Sequence, residues 1–143
     1  MILPDVNTLV YAYRREADEH EAYAKWLAGI VAGGDELALV DHCLTGFLRI
    51  VTNQRIFADP APISEAFGFV TRIRNARRAR RLSSTPATWS TFVELISKDR
   101  GIKANLVPDA YLAALAISQG CRIATADHGF ARFDTLDFFD PIT

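Results

Sequence analysis

Three aspartates in this chain sit where solvation alone explains an acidic side chain poorly. Asp5 interrupts the apolar opening Ile2, Leu3 and Val6, with polar Asn7 two residues on, and a carboxylate in such a run is costly to bury unless something pairs with it. Asp109 follows Pro108 at the start of a long apolar stretch ending at Gln119. Asp127 closes Ile123-Ala124-Thr125-Ala126-Asp127, where Thr125 can turn its hydroxyl the same way. Each has an ordinary alternative, because aspartate caps helices, favours their positive ends and initiates turns. As a set they admit another reading. Carboxylates that converge on one crevice repel each other unless a cation is present, and hard oxygen donors select Mg2+ or Mn2+. Such cations suit phosphodiester cleavage, since one can activate water while a second stabilises the leaving oxygen. No protein nucleophile is then required, in keeping with a sequence that carries no Ser-His-Asp, Cys-His or glycine-rich phosphate-loop signal.

The elements that must position these residues follow from apolar periodicity. Ile2, Leu3 and Val6 read as a buried strand ended by Asn7, and Thr8 to Arg15 as a helix. Tyr23, Trp26, Leu27, Ile30 and Val31 form the stripe of a second helix, stopped by Gly33-Gly34. Leu37 to Val40 has the unbroken apolar character of a parallel strand buried on both faces. Leu44, Phe47, Leu48 and Val51 then repeat at helical spacing and leave Gly46, Arg49 and Asn53 on the opposite face. A loop over 54–62 precedes a helix carrying Ala66, Phe69, Val70 and Ile73. Thr85-Pro86 starts another helix, with Trp89, Phe92, Val93 and Ile96 as its expected buried stripe. The helix from Pro108 to Gln119 is apolar nearly all round after Asp109; strands follow at 121–126 and 136–139. The segment 77–82 fits either a helix end or a strand. Alternating strands and helices predict a three-layer α/β/α domain with a central, mainly parallel sheet of four or five strands, one domain over 1–143. In such sheets the functional crevice lies at the carboxyl ends of the strands, where these aspartates fall.

Composition sets limits. A formal net charge of -1 excludes binding of nucleic acid by bulk electrostatics. Cys43 and Cys121 are far apart in apolar surroundings and read as core thiols, without zinc or disulfide spacing. His20, His42 and His128 share no metal-ligand spacing and read as surface or turn residues, with His128 beside Asp127 the one to inspect. No signal peptide or membrane-length apolar run is present, and a cytoplasmic location is expected.

Four pieces in order carry a family likeness: Leu-Pro-Asp-Val-Asn-Thr-Leu-Val-Tyr-Ala at the start, Gly-Phe-Leu-Arg-Ile-Val-Thr-Asn over 46–53, Val-Pro-Asp-Ala-Tyr-Leu-Ala-Ala-Leu-Ala over 107–116, and Ile-Ala-Thr-Ala-Asp-His-Gly-Phe over 123–130. By these the chain resembles the PIN-domain ribonucleases, specifically the VapC toxins of bacterial toxin-antitoxin systems. The resemblance implies that Asp5, Asp109 and Asp127 are catalytic ligands of Mg2+ or Mn2+, supported by Asn7 and Thr125. It also implies a structured RNA substrate of the tRNA or rRNA class, a VapB-type antitoxin and a homodimer. One position departs from it: many members place a glutamate three residues before an arginine on the third helix, where this chain has Gly46 ahead of Arg49. Asp41, five residues away on that helix, does not replace it. The departure predicts weakened metal affinity, and it keeps open a catalytically silent module that binds RNA or antitoxin. Arg72, Arg74, Arg77, Arg78, Arg80 and Arg81 form a dense basic cluster. If helical, it puts Arg74, Arg77, Arg78 and Arg81 on one face, solvated or in contact with RNA phosphates or an acidic antitoxin tail, with Arg77, Arg78 and Arg81 the candidate contacts.

Overall fold

The computed structural model describes residues 1–143. In chain order the elements are β1 (Ile2–Pro4), α1 (Val6–Tyr13), α2 (His20–Ala32), β2 (Leu37–Val40), α3 (Asp41–Val51), α4 (Ile63–Arg74), β3 (Ala79–Leu82), α5 (Pro86–Lys98), α6 (Leu106–Gln119), β4 (Arg122–Ala124) and β5 (Phe138–Phe139), with a 3-10 turn over His128–Arg132. The strands form one five-stranded sheet in the order β3-β2-β1-β4-β5, every pairing parallel. This is the three-layer arrangement the alternation predicts.

Period-two alternation sends neighbouring strand residues to opposite faces. Leu37 and Leu39 join a core with Leu9, Tyr23, Leu27, Phe47, Val51, Phe69 and Ile73, drawn from α1 to α4. Ala38 and Val40, with Leu3 and Ile123, join the other core with Ala110, Leu112, Ala113 and Phe130. All four residues of β2 are buried, as a strand flanked and covered on both sides must be. The apolar girth of α6 is used in full: Ala110, Leu112, Ala113, Ala114, Leu115 and Ala116 are all buried, and Gly120 ends the helix at φ 70°, a left-handed conformation that costs glycine no Cβ clash.

Several expectations change. The first strand ends at Pro4 and Val6 already lies in α1, because Asp5 caps that helix and closes the extended run. The last long strand stops at Ala124, leaving Thr125 to Asp127 as the turn after it. The arginine-rich segment is the edge strand β3 rather than a helix, so Arg74, Arg77, Arg78 and Arg81 share no helical face. Arg80 and Arg81 point to solvent from that edge, where charge discourages further strand pairing. On α5, Trp89 is 61% and Val93 50% exposed and only Thr88 is buried. The expected stripe is therefore split: Phe92 and Ile96 are half-buried against the core beside α6, Phe92 edge-on to Tyr111 at 5.5 Å, while Trp89 and Val93 face outward. Asn53 falls beyond the end of α3, where its side chain accepts from the Arg55 N–H at 2.8 Å. No helix is long and apolar enough to cross a membrane.

Candidate active site

The chain leaves β1 outward through β2 and β3, then returns to place β4 on the other side of β1, so the strand order reverses between β1 and β4. At such a reversal the connecting loops diverge and open a crevice beyond the strand ends. Pro4 and Ala124, the last residues of the two strands, are registered neighbours. Asp5 and Thr125 follow them directly, so the topology itself brings residues from both ends of the chain together.

Asp5 is 7% exposed and Thr125 1%. The Thr125 hydroxyl donates to Asp5 Oδ2 at 2.5 Å and accepts from the Asp127 N–H at 3.0 Å, while the Thr8 N–H donates to Asp5 Oδ1 at 2.8 Å. Thr8 also ties α1 to β4 through its hydroxyl, which donates to the Ala124 carbonyl at 2.8 Å. Asp127 caps the 3-10 turn, with Oδ1 accepting from the Gly129 N–H at 2.8 Å. Asp109 lies in the first turn of α6, after a proline placed where a helix needs no N–H donor.

Asp5, Asn7, Asp109 and Asp127 line one cavity of about 510 Å³. Across it α3 contributes His42, Thr45, Gly46 and Arg49, a stripe at i, i+3, i+4 and i+7. Thr125 lies beneath, acting on the cavity through Asp5. Sequence reasoning missed His42, Thr45 and Thr8. His42 reaches the cavity and His128 does not line it, because the turn after Asp127 carries His128 away; the helical spacing of His42 with Gly46 and Arg49 was the available signal. Arg77 and Arg78 precede β3 and lie at the amino end of the sheet, the rim opposite the cavity, where Arg78 approaches the Gly34 carbonyl and Glu36.

Electrostatics set the site apart from the rest of the surface. Burial pushes the Asp5 carboxyl above its ordinary value, opposed by its hydrogen bonds from Thr125 and Thr8 and reinforced by the charge of Asp127. Asp109 is pushed up as well, by burial first and then by Asp127 and Asp5. Three carboxylates thus share a cavity in which their ionised forms disfavour one another. Burial lifts the Cys43 thiol on the cavity wall to about 12, with Asp5 adding to the rise, which makes it inert as a nucleophile.

Whether a divalent cation fits follows from the donors present. The three aspartates offer hard oxygens, and the burial that raises Asp5 and Asp109, with the repulsion among the carboxylates added to it, is what a cation would offset. No three His, Cys, Asp or Glu side chains are gathered as a ready-made cage. The donor set therefore suits an ion that rests on one or two carboxylates and completes its shell with water and phosphate, the habit of Mg2+. At Gly46 the α3 wall offers no further carboxylate.

Against known proteins, the model of the PIN domain matches residues 2–136. A protein described as VapC ribonuclease Mb2897 from Mycobacterium bovis is 37% identical over 142 residues, covering 99% of this chain and 96% of its own length. Ribonuclease VapC25 from Mycobacterium tuberculosis is 30% identical over 141 residues, covering 99% of both. Among solved structures, VapBC2 from Rickettsia felis, bound to a DNA fragment from its promoter, has TM-score 0.69 at 16% identity over 97% of this chain and 98% of that one. FitAcB from Neisseria gonorrhoeae has TM-score 0.65 at 20% identity over 99% of this chain and 98% of that one. At those identities the solved structures speak to the fold alone.

Proposed function

The chain belongs to the PIN-domain family, in its VapC branch, and from that premise we propose that it is a Mg2+- or Mn2+-dependent endoribonuclease, the toxin half of a toxin-antitoxin pair. The observation that carries the reading is the meeting of Asp5, Asp109 and Asp127 in one cavity at the β1/β4 reversal. The names of the sequence relatives supply the reaction class, and the site supplies residues for it.

In this reading Asp5, Asp109 and Asp127 are the carboxylates on which the cation would rest, one or two at a time, with water and phosphate completing its shell. When bound, it would supply Lewis-acid neutralisation of phosphate charge and activation of water for in-line attack. The chain's own work is positional. Thr125 and Thr8 fix both oxygens of Asp5, so its lone pairs face the cavity without a search through rotamers. Asn7, exposed at the cavity mouth, can donate to a phosphate or ribose oxygen. Asp109, with neither oxygen held by the protein, can follow the cation as the substrate enters. The substrate is a structured RNA of the tRNA or rRNA class, and residues 1–143 act as one cytoplasmic domain.

The partners are a VapB-type antitoxin and a second copy of the chain. The exposed apolar Trp89 and Val93 of α5 are the surface on which a homodimer would bury area, which Trp89→Ser tests by sedimentation. Arg77 and Arg78, on the rim opposite the cavity, and Arg81, exposed on β3, are the further candidate contacts for RNA backbone or an acidic antitoxin tail. One observation favours a second reading: Gly46, where relatives of the family pattern carry an acid, suits a silent module that binds without cutting. Cleavage of total RNA with and without Mg2+ separates the two. The wild type should cut only with the ion, and Asp5→Asn or Asp109→Asn should abolish cutting; no cleavage by the wild type at saturating Mn2+ overturns the enzyme.

A further inference from the structure

An RNA phosphate entering a cavity lined by Asp5, Asp109 and Asp127 is repelled by their negative charge. Arg49 is the one arginine or lysine among the residues lining that cavity. It is exposed, in the last turn of α3. Five other arginines form ion pairs with nearby carboxylates: Arg14 with Glu16, Arg78 and Arg80 with Glu36, Arg122 with Asp137 and Arg132 with Asp99. Arg49 makes no ion pair, although three carboxylates line the same space. A cation near a helix carboxyl end gains from the dipole, but the dipole does not account for a guanidinium that lines the cavity.

Gly46 stands one turn before it on the same stripe. A Cβ at 46 would sit 3.1 Å from Val6 Cγ2, so any side chain there must displace Val6 or project into the space between Arg49 and the aspartates. With glycine the wall stays low. A planar, permanently charged fork beside an open wall is the arrangement that accepts two oxygens of one phosphate.

We propose that Arg49 seats an RNA phosphate across the cavity from the aspartates, and that Gly46 leaves open the space the adjoining nucleotide enters. The identity of the ligand rests on the ribonuclease reading. Arg49 is a positioning residue here: it compensates the repulsion of the aspartates and fixes which phosphate faces them.

The test uses the full chain carrying Asp109→Asn to prevent turnover, alone or with Arg49→Gln or Arg49→Lys. Binding of a fluorescein-labelled RNA stem-loop is followed by anisotropy over a range of KCl, in EDTA. Losing one phosphate contact should reduce the slope of log K against log salt by about 0.7 to 0.9 in Arg49→Gln. Losing a charge-assisted hydrogen bond should weaken binding by about tenfold or more. Arg49→Lys should keep the slope, since the point charge remains. An unchanged slope in Arg49→Gln, a slope that lysine does not restore, or no binding by the parent overturns the proposal. The readout needs neither cation nor cleavage. A wild type that never cuts RNA would therefore sink the nuclease reading while leaving the Arg49 result to stand or fall by itself.

Discussion

Replacing Thr125 with valine keeps the volume of the side chain and removes one hydroxyl that serves two partners. That hydroxyl donates to Asp5 Oδ2 at 2.5 Å and accepts from the Asp127 N–H at 3.0 Å, in a position 1% exposed. A hydrogen bond to a charged group contributes about 1.5–3 kcal/mol and an unpaired buried amide costs about 1–3 kcal/mol. Because water from the cavity can reach Asp127, the expected loss is about 2.5–3.5 kcal/mol at neutral pH, the lower part of that combined range. The loss should depend on pH. Asp5 titrates above its ordinary value because burial outweighs its hydrogen bonds, and Thr125 supplies the largest of the opposing effects. In Thr125→Val the carboxyl rises further, so the variant suffers most above the raised pKa, where the charged form must be held, and least as pH falls towards the ordinary carboxylate value. Urea unfolding of wild type, Thr125→Val and Thr125→Ser in EDTA at mildly acid and mildly alkaline pH reads both effects. Serine should behave as wild type. An equal loss at both pH values, or a serine variant as unstable as valine, refutes the view that this hydroxyl stabilises an ionised Asp5.

Asp109→Asn should raise the urea midpoint of the metal-free protein at neutral pH. The folded-state carboxyl is raised by burial and by Asp127 and Asp5, so its contribution to stability falls as pH climbs through the raised value, and the variant's advantage should vanish in acid; a lower midpoint at neutral pH contradicts this. Gly46→Glu restores an acid to the α3 wall and should lower the Mn2+ concentration needed for half-maximal binding, with Val6→Ala relieving the 3.1 Å approach that any Cβ at 46 makes to Val6 Cγ2. Calorimetry showing unchanged affinity in both the single and the double variant argues against a missing ligand. Arg77→Ala with Arg78→Ala should flatten the salt dependence of RNA binding if the β3 rim contacts phosphates, and an unchanged slope leaves that rim to another partner.

Much of the fold was legible because its signals were local or periodic. The unbroken run Leu37–Val40 matched a strand buried on both faces, and Thr85-Pro86 matched the helix start it encodes, with Thr88 completing the capping box. What the sequence hid was set by neighbours. Residues 77–82 carry little periodicity, and pairing with β2 made a strand of Ala79–Leu82. Trp89 and Val93 look like a core stripe because an apolar helical face reads the same whether or not a partner covers it. At the site, the aspartates were visible as misplaced charges, since a carboxylate in an apolar run is costly whatever surrounds it. The α3 wall was only half visible: Gly46 and Arg49 stood out, but Thr45 and His42 have no chemistry until α3 is seen to face Asp5 across the reversal. Thr8 was invisible for a similar reason, because its hydroxyl acts on the carbonyl of Ala124, a residue 116 positions away.

The account stands on carboxylates that share a divalent ion, and that can be measured without RNA. Isothermal calorimetry of Mn2+ into wild type, Asp5→Asn and Asp127→Asn at neutral pH reads it directly. The wild type should bind saturably, and each variant should weaken that binding at least about tenfold, the effect of roughly 1.4 kcal/mol in lost coordination. Wild type and both variants binding Mn2+ alike, or none binding it, would contradict the shared site.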